Sequence, residues 1–380
     1  MAEYRKIKAI ISGGGTGGHI FPALSIADKL MELNPENEIL FVGAEGRMEM
    51  ERVPMAGYRI IGLPVAGLQR RLTLANFALP FKVIRSIRMA KKLIREFQPD
   101  IAIGVGGYAS APLLWAAGQM GIPTLIQEQN GFAGLTNKIL GKKAESICVA
   151  YEGMERFFPE DRIILTGNPI RKEIVPANEA MKEEGLKFYG LDPAKKHMLI
   201  VGGSLGSGTL NNAVRKWIVN GCIGGEDVEI IWQCGKYYKP ETDMFMKEAE
   251  TNGIGGKCLK QIRHSDFIKR MDLAYAVADV VVTRSGASSI SELCVAEKAA
   301  IFVPSPNVTE DHQTHNAMAL VNKDAGMIVK DSEAEETLIK TALELLKDPE
   351  KIADMQKNIA ALAKTDAAGS IAKEVYRITR

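Results

Sequence analysis

The 380-residue sequence has no run of about 18 uninterrupted apolar residues, so no membrane-spanning helix is expected. It has no C-x-x-C pair. Its five cysteines, Cys148, Cys222, Cys234, Cys258 and Cys294, are odd in number and scattered. That pattern argues against disulfides and zinc knuckles and points to buried bystander thiols. No D-x-D triplet occurs to hold a divalent cation. The start, Met-Ala-Glu-Tyr-Arg-Lys-Ile-Lys, has no apolar signal region and runs straight into a strand-like segment, so a cytoplasmic chain is expected. Acids are missing from Arg52 to Arg95, where ten Lys or Arg fall, yet the net charge is only +2. So small a charge gives no reason to expect a nucleic-acid partner.

What is present is ordinary in bulk: 46% hydrophobic and 25% charged residues, which exclude a disordered chain. Short β-branched runs alternate with longer helical patterns. Lys8–Ser12, Glu38–Gly43, Asp100–Gly104, Thr124–Gln127 and Ser146–Val149 read as strands, and Pro22–Leu33 as a helix. The pattern restarts with Lys196–Val201, Val228–Trp232, Asp279–Thr283 and Ala300–Val303. Strands separated by helices imply βαβ units and parallel sheets. The expected fold is α/β, with two Rossmann-like, doubly wound domains facing a cleft. The first spans 1–168, rejoined by a C-terminal helix at about 362–380, and the second 169–361. The boundary falls near Thr166-Gly-Asn-Pro-Ile-Arg171, where Gly and Pro punctuate the chain.

Gly13-Gly-Gly-Thr-Gly-Gly-His19 lies between a strand and a helix, and Gly13, Gly15 and Gly18 match G-x-G-x-x-G. Such a turn aims backbone N–H groups at an anion beside a helix N-terminus, and it also serves as a ligand-free βα junction. For a dinucleotide site the acidic residue, Glu45, comes late. Two further glycine-rich turns, Gly104–Ala111 and Gly202–Ser207, favour a phosphate-bearing ligand. At Thr283–Leu293, Ser288 or Ser289 is placed to cap a helix, with Glu292 one turn in, suited to a ribose diol or to the helix dipole. His312 and His315 have metal-like spacing but no third ligand, so no metal is expected, and Gln313 and Asn316 look like hydroxyl readers. His19, at the mouth of the first loop, is the candidate general base, with Glu128 the alternative. Arg171 is suited to a diphosphate or to plain surface charge.

In the basic stretch, Leu74, Phe77, Phe81 and Ile84 follow helical spacing beside Lys82, Arg85 and Arg88, with Pro80 expected to disturb the helix. An amphipathic core helix explains this. A face docking on an anionic membrane, joined by Trp115, explains it too.

Together, Gly13–His19, Gly104–Pro112, Glu128–Lys138, Gly167–Arg171, Gly202–Ser207, Arg284–Glu292 and Asp311–Ala317 resemble the bacterial family 28 glycosyltransferases of peptidoglycan synthesis, in the family's order. These add N-acetylglucosamine to lipid I, forming lipid II. The resemblance implies the GT-B fold and inverting transfer from UDP-N-acetylglucosamine to the muramyl C4 hydroxyl. It further implies peripheral attachment at the cytoplasmic face of the cell membrane, no cofactor, and cell-wall or division proteins as partners. The residues it implies for the donor are Thr16, Gly17, Gly18, Asn130, Arg171, Ser204, Ile268 at the uracil, and Ala287, Ser288, Ser289, Ile290, Ser291 and Glu292 at the diphosphate and ribose. Gln313 would read the sugar, with Asn316 nearby. A soluble UDP-sugar epimerase or hydrolase, a nicotinamide or flavin oxidoreductase and a non-catalytic nucleotide sensor are the competing readings.

Overall fold

Both sheets are parallel at every pairing, and each doubles back at its first strand. The computed structural model describes residues 4–65, 79–203, 205–308 and 311–379. They divide into two units, 1–171 with 364–380, and 172–363.

In the first unit, β1 (Lys8–Ser12) is followed by α1 (Gly17–Leu33), β2 (Glu38–Ala44), α2 (Glu49–Met55), β3 (Arg59–Leu63), α3 (Leu79–Phe97) and β4 (Ile101–Gly104). Next come α4 (Ser110–Gln119), β5 (Thr124–Glu128), α5 (Leu135–Gly141), β6 (Ser146–Val149) and β7 (Ile163–Leu165). The strand order is β3-β2-β1-β4-β5-β6-β7. Side chains alternate across this sheet as a two-residue period requires. Ala9, Ile11 and Phe41 pack on one face with α1, while Ile10, Leu40 and Val42 pack on the other with Ala90, Ile94, Leu113 and Ala116. Both faces are covered, which is why the strands read as unbroken apolar runs.

In the second unit, α6 (Glu179–Tyr189) leads to β8 (Lys196–Val201), α7 (Gly208–Val219), β9 (Val228–Gln233), α8 (Lys239–Thr251), β10 (Ile262–Ser265) and α9 (Met271–Val277). Then follow β11 (Val280–Thr283), α10 (Ala287–Ala296), β12 (Ala300–Phe302), α11 (His312–Val321), β13 (Met327–Ile328), α12 (Asp331–Leu346) and α13 (Pro349–Ala360). The order β10-β9-β8-β11-β12-β13 is the doubly wound pattern, and the expected α/β fold class stands. The last helix, α14 (Ala367–Ile378), belongs to the first unit. Ile371, Ala372, Val375 and Tyr376 enter that unit's core, and the Tyr376 hydroxyl accepts from the buried Asn37 amide at 2.7 Å. Asn37 also accepts from Ile7 N–H at 2.9 Å and donates to Leu30 C=O at 2.7 Å, so one side chain ties β1, α1 and α14 together.

Two expectations need correction. Cys222 and Cys258 are joined in a disulfide, with Cα atoms 6.3 Å apart, inside the usual span. The turn after α7 and the segment before β10 meet in space, and a 36-residue separation gives no sign of it. Cys148, Cys234 and Cys294 are free and buried. Helix α3 includes Pro80, next to residues outside those described. Helix α1 begins at Gly17, ahead of Pro22, so His19 sits in its first turn.

Lys298, after α10, is buried with its ammonium 3.2 Å from the Ala278 carbonyl, and burial pushes its pKa down to about 8 from 10.5. The unfolded chain therefore holds more protons between those values, so stability rises with pH through that window. At neutral pH the buried charge is a cost of about 1–3 kcal/mol. Lys298→Met should raise the melting temperature at pH 7, and the gain should shrink from about pH 8 toward 10.5 in a thermal denaturation series.

Candidate functional site

Ligand sites of doubly wound sheets lie at the strands' carboxyl ends, where strand order reverses. In the first unit that point is between β1 and β4, whose ends run level, Ser12 against Gly104. The loops leaving them interlock. Gly14 N–H donates to Gly106 C=O at 3.3 Å and Val105 N–H to Ser12 C=O at 2.7 Å. Gly106 has φ +98, and a Cβ there would meet the His19 ring at 2.6 Å. Gly107 has φ +93, and a Cβ there would meet the Gly14 carbonyl at 2.5 Å. Glycine is required at both positions by conformation and by contact.

His19 is half-buried, with Nδ1 2.9 Å from the Gly14 carbonyl and 3.4 Å from Thr16 Oγ1. A carbonyl only accepts, so Nδ1 carries the proton and the neutral ring's lone pair is on Nε2. The first loop departs from a simple anion cradle. Its Gly15 N–H donates to Glu49 Oε2 at 2.8 Å, and Glu49 Oε1 accepts from Ala44 N–H at 2.9 Å. Glu49 is 1% exposed. Sequence reading missed it, since one Glu beginning a short helix carries no signal. Thr16 is the N-cap of α1 without a side-chain capping bond, so the first-turn N–H groups at Gly17 and Gly18 have no intrahelical acceptor.

Glu128 is buried at the end of β5 and turned to the segment that follows. Its Oε1 accepts from Asn130 N–H at 3.1 Å and the Asn130 amide at 3.4 Å. Its Oε2 accepts from Gly134 N–H at 3.2 Å and the Asn137 amide at 2.8 Å. Four donors make it the organiser of the 130–137 segment. Gln129 ties this strand end to the β4 loop through Val105 C=O at 2.7 Å, and the Asn168 amide donates to Gln129 C=O at 3.0 Å. Arg171 is half-buried and is the last residue of the first unit's main segment.

In the second unit the reversal lies between β8 and β11. Ser204 falls outside the described residues, and Ser207 caps α7 by accepting from Leu210 N–H at 3.3 Å. At the start of α10 the N-cap is Gly286, so neither Ser288 nor Ser289 is the cap; both lie inside the first turn with Ala287. The hydroxyls of Ser285 and Ser288 are buried with no partner among the described residues. Unpaired buried hydroxyls at a helix N-terminus suit an anionic ligand. Ser291 Oγ donates to Ala287 C=O at 3.0 Å and Ile290 is in the core, so these two serve the helix itself. Glu292 is buried and accepts from the Tyr275 hydroxyl at 3.2 Å.

Ile268 is buried in the turn between β10 and α9. Gln313, on α11, accepts from Ser305 N–H at 2.8 Å through its side-chain oxygen. Asn316 is fully buried and donates to Ser285 C=O at 3.3 Å, holding the α10 turn in place.

The chain matches the glycosyltransferase family 28 N-terminal domain over residues 9–149 and the corresponding C-terminal domain over residues 197–371. It belongs to glycosyltransferase family 28. It is 52% identical over 374 residues to a protein of Parabacteroides distasonis named UDP-N-acetylglucosamine–N-acetylmuramyl-(pentapeptide) pyrophosphoryl-undecaprenol N-acetylglucosamine transferase, covering 98% of this chain and 99% of that one. The crystal structure of Acinetobacter baumannii MurG is similar at a TM-score of 0.76 and 25% identity, covering 98% of this chain and all of that one. A UDP-N-acetylglucosamine 2-epimerase matches at a TM-score of 0.65 and 15% identity, covering 98% and 95%, which is likeness of fold alone.

A second feature of this family 28 chain lies on the first unit. At the start of α3, Phe81 is 76% exposed, Ile84 and Val83 are also exposed, and Lys82, Arg85 and Arg88 stand among them in solvent. Trp115, on α4, is half in solvent with the Lys91 ammonium 5.2 Å above its ring. Leu74 and Phe77 fall outside the described residues. Leu135 and Ile139 on α5 and Tyr108 before α4 are exposed too. Sequence reading passed over Leu135 and Ile139, whose i, i+4 spacing on one helix face was the available signal.

Proposed function

We propose that this chain transfers N-acetylglucosamine from UDP-N-acetylglucosamine to the C4 hydroxyl of the N-acetylmuramyl group of lipid I, giving lipid II. The reading rests on one observation above the others: the likeness to the Parabacteroides transferase runs through both units and nearly the whole of each chain. No comparable observation favours an epimerase.

Donor contacts are assigned first. The diphosphate meets the first-turn N–H groups of Ala287, Ser288 and Ser289 and the unpartnered hydroxyls of Ser285 and Ser288. Glu292 accepts from the ribose hydroxyls, the Ile268 turn abuts the uracil, and the Gln313 amide donates to the sugar. Thr16, Gly17, Gly18, Asn130 and Arg171 supply the first unit's contacts. Ser204 is included on sequence grounds alone. The acceptor's C4 hydroxyl gives its proton to His19 Nε2 as its oxygen attacks the anomeric carbon. The bond from that carbon to the β-phosphate oxygen breaks with its electron pair going to UDP, and attack opposite the leaving group inverts the centre. The α10 N-terminus and Arg171 take up the charge that develops on UDP, in place of a cation.

Lipid I is held in a membrane. The exposed Phe81, Lys82, Arg85, Arg88 and Trp115 would seat the first unit on an anionic cytoplasmic leaflet, each basic residue contributing on the order of 1 kcal/mol.

Three measurements test this. Radiolabelled sugar should pass from UDP-N-acetylglucosamine to a lipid I analogue at an unchanged rate with and without chelator; no transfer, or loss on chelation, defeats the assignment or its metal-free form. Glu292→Ala should weaken UDP binding by about tenfold to a hundredfold in calorimetry, the worth of charge-assisted hydrogen bonds. Replacing Phe81 and Ile84 with Asp should abolish sedimentation with anionic vesicles while leaving UDP affinity intact.

A further inference from the structure

The peptide group between Gly14 and Gly15 is held at both ends. Its carbonyl accepts from His19 Nδ1 at 2.9 Å and its N–H donates to Glu49 Oε2 at 2.8 Å. A single planar amide therefore joins a buried carboxylate to an imidazole. Among the described residues, no Lys, Arg or His forms an ion pair with Glu49, and its other oxygen receives Ala44 N–H at 2.9 Å. The amide is fixed on other sides as well. Gly14 N–H is bonded to Gly106 C=O, and a Cβ at Gly14 would fall on the Glu49 carboxylate.

We infer that Glu49 is a positioning residue for His19, acting through the Gly14–Gly15 peptide. This rests on the reading of His19 as the general base. An anion accepting a peptide N–H draws negative charge onto that peptide's carbonyl, and hydrogen bonds in series strengthen one another. The Gly14 carbonyl then holds the Nδ1 proton more firmly. That fixes the tautomer with its lone pair on Nε2 and favours the imidazolium formed when Nε2 takes the acceptor's proton. A carboxylate does the same work directly when it bonds to the Nδ1–H of a catalytic histidine. Here one peptide intervenes and the carboxylate itself stays buried. The ring's described neighbours include the Thr16 hydroxyl and the Gly106 backbone, which carry no charge.

The test uses the full chain, with the His19 imidazole followed by 15N NMR and assigned by its loss in His19→Gln. In Glu49→Gln the carboxylate charge is gone and the size is kept. The His19 pKa should fall by about one unit, the usual scale for losing a stabilising charge or hydrogen bond. The acid limb of kcat/KM should move down with it. Turnover should fall at least tenfold while KM for UDP-N-acetylglucosamine stays within about twofold, since the lost interaction acts mainly in the transition state. Glu49→Asp, which keeps the charge, should restore the His19 pKa toward the native value even where its stability is lowered. An unchanged His19 pKa in Glu49→Gln, or equal shifts in the Gln and Asp variants, overturns the inference. Near-normal turnover of His19→Gln removes the base reading alone; a shifted imidazole in Glu49→Gln would then still establish the coupling.

Discussion

Where a doubly wound sheet reverses its strand order, two loops leave adjacent strand ends in different directions and their backbones pass side by side. Everything at the first unit's candidate site depends on that approach. With Ser12 level with Gly104, the β1 and β4 loops meet at Gly14, Gly106 and Gly107, close enough that an added methyl would strike either the histidine ring or the facing carbonyl. The glycines are there for contact as much as for turning. They let His19 lie over one loop while it donates to the other.

That contact explains why the fold was more legible than the site. Buried strands such as β1, β6 and β8 show in the sequence because parallel strands covered on both faces need continuous β-branched runs. The missed strands β3, β7, β10 and β13 are edge or next-to-edge pieces that are short or only partly buried, so the same demand does not reach them. Helix α1 starts ahead of the Pro22 that the sequence suggests, because Pro22 looks like a first-turn residue while the actual start, Thr16-Gly17-Gly18, contains residues with weak helical preference.

At the site, residue types announced chemistry but not partners. Glu128 and Glu49 are both buried carboxylates satisfied by N–H donors, and nothing in their neighbouring residues tells one from the other or from a catalytic acid. Only coordinates show that Glu128 is closed on its own loop and that Glu49 reaches the peptide behind His19. Asn316 is similar. Chosen as a hydroxyl reader, it is fully buried and works one step back, on the Ser285 carbonyl.

The two glycine-rich switch points are therefore chemically unlike, although they are alike in topology. The first unit's loop places an internal carboxylate on its Gly15 amide, and a second anion at that amide would meet repulsion at close range. Among the described residues the α10 turn of the second unit has no such carboxylate, and the buried hydroxyls of Ser285 and Ser288 lack partners there, at the positive end of a helix. The first loop's carboxylate instead bonds the peptide whose carbonyl accepts from His19. One backbone geometry thus yields one amide filled by a buried carboxylate and one helix N-terminus whose neighbouring hydroxyls lack partners among the described residues, and the difference lies in whether the chain fills its own amides.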